Sequence, residues 1–550
     1  MTDATQWVPP GPGPWQQDSA HTPVSQTAIM QEVYPSGFNR GFTETFARYG
    51  VLLDRLAMGV VNGFTYHQPQ PFDMPGPDGP MASDELEAEF GRRLGVATEV
   101  LDTRLWRQDL HDWDTEWKPR AIARHRELAA APLADLDDAS LIEHLVAVAD
   151  HVSEMVYQHH RFNMAAVFPV GDFALHASEW TGRPPHSLLD VLGGYSPVSA
   201  TLPDEMTAAV EAIRASDSAR DLVVGTGDPA QRLAELRVAE PAVDDYLATV
   251  DCRLIEGFDL VNRTLREQPE IVLGKLAAGL VAEPEQARSR SDELAAQVRN
   301  EVPAEHRASY DELLGDARAN YRLRDERGIY SEITAMGILR LTMLELGRRA
   351  HERGHIDDPE HILDATLDEA AASLSGAGPT ATDLSGRGER RRALSAAGPP
   401  RHLGPPPPPP PSDELPPPLA RLMSATGFMI EAILGQLDAA AGDASVVVGI
   451  PASQGSYEGT ARLIHDTGDL LDLEDGEIVV VAATGEAFNS VLHLVGAIVT
   501  DHGSHACHAA IVSREMGIPA VVGTVDATTR IQPGDRIRVD GTKGEVVVLS

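Results

Sequence analysis

Between Ser375 and Pro418 the chain reads "SGAGPTATDLSGRGERRRALSAAGPPRHLGPPPPPPPSDELPPP", 44 residues rich in Gly, Pro, Ser and Arg with almost no large apolar side chain. Such a composition buries too little apolar surface to offset the entropy of ordering the backbone, so residues 375–418 are expected to form a flexible linker. Its seven-proline run, Pro405 to Pro411, favours polyproline II at about 3.1 Å per residue, which gives the whole segment a reach on the order of 100 Å. A linker of that kind rules out one continuous core. It divides the 550 residues into an N-terminal body, 1–374, and a C-terminal body, 419–550, in line with the size at which single cores stop growing.

The two bodies differ in texture. From about Phe38 to Leu374, apolar residues recur at three and four spacing, as in "LIEHLVAVADHVSEMVYQHH" and "YSEITAMGILRLTMLELGRRAHERG", and strand-like alternation is scarce, so this body is expected to be α-helical. After one more helix, "LARLMSATGFMIEAILGQLDAA", the sequence turns to short β-branched runs separated by Gly and Asp, such as "ASVVVGIPAS", "GEIVVVAAT" and "GEVVVLS", the pattern of a compact α/β domain.

Charge and cysteine content limit the function classes. Acidic residues outnumber basic ones by 83 to 45, a formal net charge of -38, which argues against a nucleic acid or an anionic membrane as partner. Two cysteines, Cys252 and Cys507, cannot build a disulfide framework, and no leader-like start or run of about 18 apolar residues is present. A cytoplasmic, non-membrane protein is expected.

The densest chemistry lies in "DHGSHACHAAIVSREMGIPAVVG", Asp501 to Gly523, with His502, His505, Cys507 and His508 within seven residues. Gly496 to Thr500 reads as a buried strand, 501–507 as a loop, and Ala509 to Met516 as a helix stopped by Gly517. His508 then stands at a helix N-terminus, where unpaired N–H groups and the helix dipole favour a phosphate. Imidazole can also carry a transferred group, and the small residues Gly503, Ser504, Ala506, Ala509 and Ala510 leave room for an anion. The same residues admit a zinc site, since His502, His505, Cys507 and His508 are all permitted ligands, and they admit plain solvent-facing histidines.

In the helical body, "HVSEMVYQHHRFNM" puts His151, Met155, His159 and Phe162 near one helix face, with His160 about 100° away. A histidine there could act as general base toward a substrate hydroxyl or hold a phenolate; a hydrogen-bonded core histidine is the structural alternative. Trp106, Trp113 and Trp117 could line an aromatic pocket or pack the core.

The stretch "GSHACHAAIVSREMGIPAVVGT", with "GIPASQGSYEGTARLI" and "GEIVVV" upstream, resembles the swivelling phosphohistidine domain of phosphoenolpyruvate-utilising enzymes over roughly the last 105 residues. By that resemblance His508 is the phosphorylated residue, Cys507 the small residue before it, Arg514 and Glu515 the Arg-Glu pair of the site, and Gly503 and Ser504 the phosphate loop. Ser504 stands where a second glycine is usual, and "ATGEAFNSV" departs from the family's proline and tryptophan. The helical body is more distantly similar to the substrate-binding domain of rifampicin phosphotransferases and phenylphosphate synthase-like proteins through "DCRLIEGFDLVNRTLREQP", Asp251 to Pro269. There Asp251 and Cys252 replace a Gly-His pair, while Arg253, Asp259, Glu267 and Pro269 match.

The resemblance implies a multidomain fold: a large, mostly α-helical substrate-binding domain over 1–374, the linker over 375–418, and a linker helix with the α/β swivelling domain over 419–550. It implies a dikinase-type phosphotransferase that passes phosphate from His508 to a small organic hydroxyl; Arg253 and Asp259, by the resemblance, and His159 and His160, by their place on the helix, are the expected substrate-binding residues. No G-x-x-x-x-G-K-[ST] loop and no ATP-grasp pattern is present, so ATP and Mg²⁺ are expected to act through a separate ATP-grasp partner subunit resembling phosphoenolpyruvate synthase, with no cofactor or metal bound by this chain. No pyruvate-binding barrel follows the swivelling domain, and the expected acceptor is a phenol, such as a 4-hydroxyphenyl ketone in aromatic catabolism, with a rifamycin-like antibiotic as the runner-up. A non-catalytic phosphocarrier is the alternative from another class.

Overall fold

The computed structural model describes the chain except residues 1–5, 20–21, 75–80, 200–201, 256, 282–284, 407–414, 435–445, 466, 486–487, 489–493 and 550. The chain forms two compact units, each assembled from separate stretches: Met1–Ala165, Cys252–Thr264 and Glu326–Met423 in the first, Ala166–Asp251, Leu265–Asp325 and Ser424–Ser550 in the second. The mostly helical multidomain class with a C-terminal α/β sheet is as expected.

In the first unit the helix Ala28–Tyr49 packs on the helix Asp138–Arg161. Their approach depends on two glycines one turn apart. A Cβ on Gly37 would stand 2.1 Å from the Ser153 carbonyl oxygen, and one on Gly41 2.6 Å from His160 Cβ. This contact brings the aromatic face of the first helix, Tyr34, Phe38 and Phe42, against the last turn of the second.

The unit also contains a four-stranded antiparallel sheet where almost no strand was expected. It comprises β1 (Trp15–Gln17), β2 (Leu53–Val61), β3 (Phe64–Pro71) and β4 (His402–Leu403), in the order β2-β3-β1-β4. The β2–β3 hairpin turns at Asn62 and Gly63, both left-handed with φ 53° and 83°. That is the type I′ turn that Asn-Gly favours, because its twist matches that of paired strands.

The 375–418 segment also departs from expectation. Residues Ala381–Ala397 form a helix with Leu384 and Gly388 buried, and β4 pairs with β1. Few apolar residues are needed because polar contacts hold it. Thr380 and Asp383 form a capping box, Arg387 pairs with Glu369, and Arg391 with Asp364 at 2.8 Å. Most of the proline run, 407–414, lies outside the described residues.

The second unit holds an eight-stranded sheet: β5 (Val446–Val448), β6 (Ile450–Ser453), β7 (Ser456–Ile464), β8 (Glu477–Val481), β9 (Val495–Thr500), β10 (Ala520–Val522), β11 (Arg536–Asp540) and β12 (Glu545–Val548), ordered β5-β12-β11-β7-β8-β9-β10-β6. Strands β7 to β10 run parallel, and the outer pairings are antiparallel. The inner parallel strands β8, β9 and β10 are near-continuous apolar runs, as strands covered on both faces require, whereas β7 carries polar residues along its length. Val480 and Val499 sit in register within a core that includes Ile478, Ala497, Val521 and Ile537. The helix His508–Met516 connects β9 to the adjacent parallel β10, and Gly517 ends it in the left-handed conformation, φ 69°.

Candidate functional site

In the sheet register Val481 at the end of β8 faces Thr500 at the end of β9. The loops leaving these neighbouring carboxyl ends must meet, and in open α/β sheets this is where ligands bind. The first loop supplies Thr484 and the second leads into His508: Thr484 Oγ1 lies 2.8 Å from His508 Nδ1. With Nδ1 engaged by the hydroxyl, Nε2 is the other ring nitrogen of this half-buried imidazole. His508 is the first residue of its helix, and Cys507 precedes it in extended conformation, φ -74° and ψ 167°.

The loop before His508 is tightly braced. His502 N donates to the Ala482 carbonyl at 2.9 Å, and Thr500 Oγ1 donates to the His502 carbonyl at 2.7 Å. Asp501 accepts from Thr524 Oγ1 at 3.2 Å, from Thr528 N at 3.1 Å and from the Thr528 hydroxyl. Gly503 has φ 114°, and a Cβ there would stand 2.6 Å from Cys507 Sγ, so both backbone and space demand glycine. Ser504 needs no left-handed backbone; it is buried, and its hydroxyl donates to the Glu431 carbonyl at 3.3 Å.

Arg514 and Glu515, expected to form the Arg-Glu pair of the site, are occupied by the 3₁₀ helix Pro185–Leu192 and the turn after it. Arg514 Nε donates to Asp190 Oδ1 at 2.8 Å, and its Nη1 donates to the His505 carbonyl at 2.6 Å. It thereby ties the histidine loop to that helix. Glu515 Oε2 accepts from Gly194 N at 2.6 Å, and burial pushes the carboxyl up to about 8. His505 stacks on His186 at 4.1 Å with rings 2° from parallel, and burial pushes it down to about 3. Arg324 adds two donors to the Ala506 carbonyl, at 3.2 and 3.0 Å. Among the described residues no group of three or more His, Cys, Asp or Glu side chains converges as a metal site needs.

The residues expected to hold substrate fall in the first unit. His159 and His160 end the helix Asp138–Arg161. The His160 ring stacks on Phe42 at 4.7 Å, meets Phe38 edge-on at 4.4 Å, and lies 4.5 Å from the His159 ring. Arg253 is buried, with its guanidinium 5.1 Å from the Tyr330 ring. Asp259 is committed to the backbone: it accepts from Thr27 N at 2.8 Å, at the start of the helix Ala28–Tyr49, and from Val261 N at 3.2 Å. Glu267 closes a short 3₁₀ turn and Pro269 opens the next helix. Trp113 is fully buried, and its Nε1 donates to Glu326 at 2.9 Å.

A buried carboxyl absent from the expected set completes this cluster. Glu332 Oε1 lies 3.0 Å from His159 Nδ1, and burial pushes the carboxyl up to about 8. Its only sequence signal is a lone acidic residue in the mostly apolar run "GIYSEITAMGILRL". Among the described residues no helix is long and apolar enough to cross a membrane.

Comparison with known proteins returns two family models on different parts of the chain. Residues 473–544 match the mobile domain of PEP-utilising enzymes, and residues 160–332 match the fourth domain of rifampicin phosphotransferase. A chondramide synthase of Chondromyces crocatus is 31% identical over 327 residues, 56% of this chain and 8% of that protein. A rifampicin phosphotransferase of Streptomyces sviceus is 43% identical over 104 residues, 19% of this chain and 12% of that one. An uncharacterised protein of Mycobacterium bovis is 29% identical over 447 residues, 79% of this chain and 45% of that one. The chain thus spans less than half the length of each of these relatives.

Proposed function

We propose, from the premise that this chain belongs to the PEP-utilising enzymes, that His508 accepts a phosphoryl group and passes it to a small organic hydroxyl. The observation that carries this reading is the placement of His508: first residue of a helix at the carboxyl edge of a parallel sheet, with Nδ1 engaged by Thr484 at 2.8 Å. A phosphoryl group on Nε2 would lie at the positive end of the helix dipole, which lowers the cost of its charge. Splitting transfer into loading and discharge lets one imidazole serve two chemically different partners.

In this reading ATP and Mg²⁺ are handled by an ATP-grasp partner in the cytoplasm, and the acceptor is a phenol bound near His159, His160 and Arg253. The aromatic side chains around His160 suit a planar ring. The ion pair Arg514–Asp190 and the Gly194 contact of Glu515 support a positioning role for Arg514 and Glu515: they hold the loop that presents His508.

The test uses ATP labelled separately at the β and γ positions, an ATP-grasp partner of the phosphoenolpyruvate synthase type, and the wild type beside His508→Ala. Acid-labile, alkali-stable β-label on the wild type alone, discharged by phenols, is the expected result. Label that no hydroxyl compound discharges would favour a carrier without its own acceptor. No label with an active partner would refute the reading.

A further inference from the structure

Glu332 is fully buried and carries no role in loading His508. Its Oε1 lies 3.0 Å from His159 Nδ1, an ion-pair distance without hydrogen-bond geometry, and neither carboxylate oxygen has a hydrogen-bond donor among the described residues. The residue lies on a π-helical turn, Gly328–Ile333, a widened geometry that proteins retain mostly where it serves a site.

That turn is held in place from behind. His125 Nε2 lies 3.1 Å from the Tyr330 carbonyl, and His151 Nε2 lies 3.0 Å from His125 Nδ1. Burial pushes these two imidazoles down to about 4 and about 3, so both are neutral near pH 7. One direction of donation then satisfies the chain: His151 N–H to His125, and His125 N–H to the Tyr330 carbonyl. Gln158 Nε2 donates to Ser331 Oγ at 3.1 Å. A carboxyl kept buried and aimed at one imidazole by this much supporting structure has the arrangement of a base and the group that orients it. The aromatic wall of Tyr34, Phe38 and Phe42 stands against the neighbouring His160.

We propose that His159 and Glu332 form the proton-accepting pair for transfer to the acceptor, and that this acceptor is a phenol; the inference rests on the transferase reading above. In the step, the phenolic O–H proton passes to His159 Nε2 while the phenolic oxygen bonds to phosphorus. The P–N bond to His508 breaks and its electron pair returns to that imidazole. The positive charge formed on His159 is balanced by the Glu332 carboxylate 3.0 Å from Nδ1, and the proton is later released to water.

A pair that still holds its own proton cannot accept another, so transfer rises with pH until Glu332 is ionised. Besides His159, the groups acting on this carboxyl are Arg327, which favours the charged form, and Asp18, which opposes it. The Tyr34 hydroxyl feels the charge of the same carboxyl, and His67 lies 3.6 Å from Asp18. Lys118 and Arg253 approach the Tyr330 ring on the same turn.

The experiment loads the full chain chemically with labelled phosphoramidate, using His508→Ala as background. Single-turnover discharge to phenol and to 4-hydroxyacetophenone is then followed from pH 6 to 9, per mole of bound label. The wild-type rate should climb about tenfold per pH unit and level near pH 8. Glu332→Gln should abolish the rising limb and lower the plateau by roughly a hundredfold or more, the usual worth of a positioned base. Glu332→Asp should keep the limb, and His159→Gln should lose it. A flat wild-type profile, or an unchanged limb in a folded Glu332→Gln protein, overturns the pair while leaving the transferase reading intact. Label that no phenol discharges as an aryl phosphate but another hydroxyl compound does overturns this inference alone; label that no hydroxyl compound discharges removes the transferase reading, and this inference with it.

Discussion

Glu515 offers a direct measure of what buried docking of the histidine helix costs. Glu515 is 7% exposed, Oε2 accepts one hydrogen bond from Gly194 N, and Oε1 has no hydrogen-bond partner among the described residues. Burial raises it from the ordinary 4.5 to about 8. A carboxyl raised in the folded state binds its proton more tightly there than in the unfolded chain. Its stabilising contribution is therefore fully present below about pH 4.5, falls as the pH rises toward 8, and is gone above that. At about 1.4 kcal/mol per pH unit over that interval, the full swing is about 5 kcal/mol. This is a ceiling, because the contact with Gly194 can open locally before the whole cost is paid.

Glu515→Gln keeps the shape and an acceptor oxygen for Gly194 but cannot ionise. Urea unfolding followed by circular dichroism at pH 5, 6, 7, 8 and 9, on both proteins, isolates this residue, since every other titrating group is common to the two. The variant should gain on the wild type by up to about 1.4 kcal/mol per pH unit between pH 5 and 8, and by nothing more above it. A wild-type-minus-variant difference that stays constant from pH 5 to 9 would refute the reasoning, because it would mean Glu515 titrates alike in both states.

Further outcomes follow from the loop and the helix pair. Gly503→Ala must place a side chain at φ 114° and 2.6 Å from Cys507 Sγ; the left-handed backbone alone costs roughly 1–2 kcal/mol, and His508 labelling should fall while the circular dichroism of the remaining chain is retained. Thr484→Val removes the 2.8 Å contact to His508 Nδ1, a loss of about 1 kcal/mol, and should slow labelling severalfold without lowering the melting temperature by more than a few degrees. Gly37→Ala gains up to about 1 kcal/mol of helix propensity but drives a methyl to 2.1 Å from the Ser153 carbonyl oxygen. Overpacking against backbone costs about 1–3 kcal/mol, so the melting temperature should fall; a rise would show that the two helices part without penalty.

Much of the C-terminal domain was legible because its signals are local. The apolar run before His508, the small residues of the loop, and Gly517 as a stop fall where β9, the loop and the helix lie. The hairpin at Asn62-Gly63 was missed although its Asn-Gly turn signal is equally local, lying between the two paired strands. The helix Ala381–Ala397 was not legible from composition, because what orders it is charge pairing with Glu369 and Asp364 on the preceding segment.

The sequence by itself determined the residues whose role depends on neighbours within a turn or two: His508 at a helix start, Gly503 where the backbone is left-handed, and the apolar strands behind them. Tertiary structure decided what the long-range polar side chains do. Asp259 anchors Thr27 from 232 positions away, Arg514 reaches Asp190 from 324 away, and Glu332 comes to face His159 only once two distant helices pack. The physical reason is desolvation. A buried charge must find a partner wherever the fold brings one, and no spacing along the chain records which partner that will be.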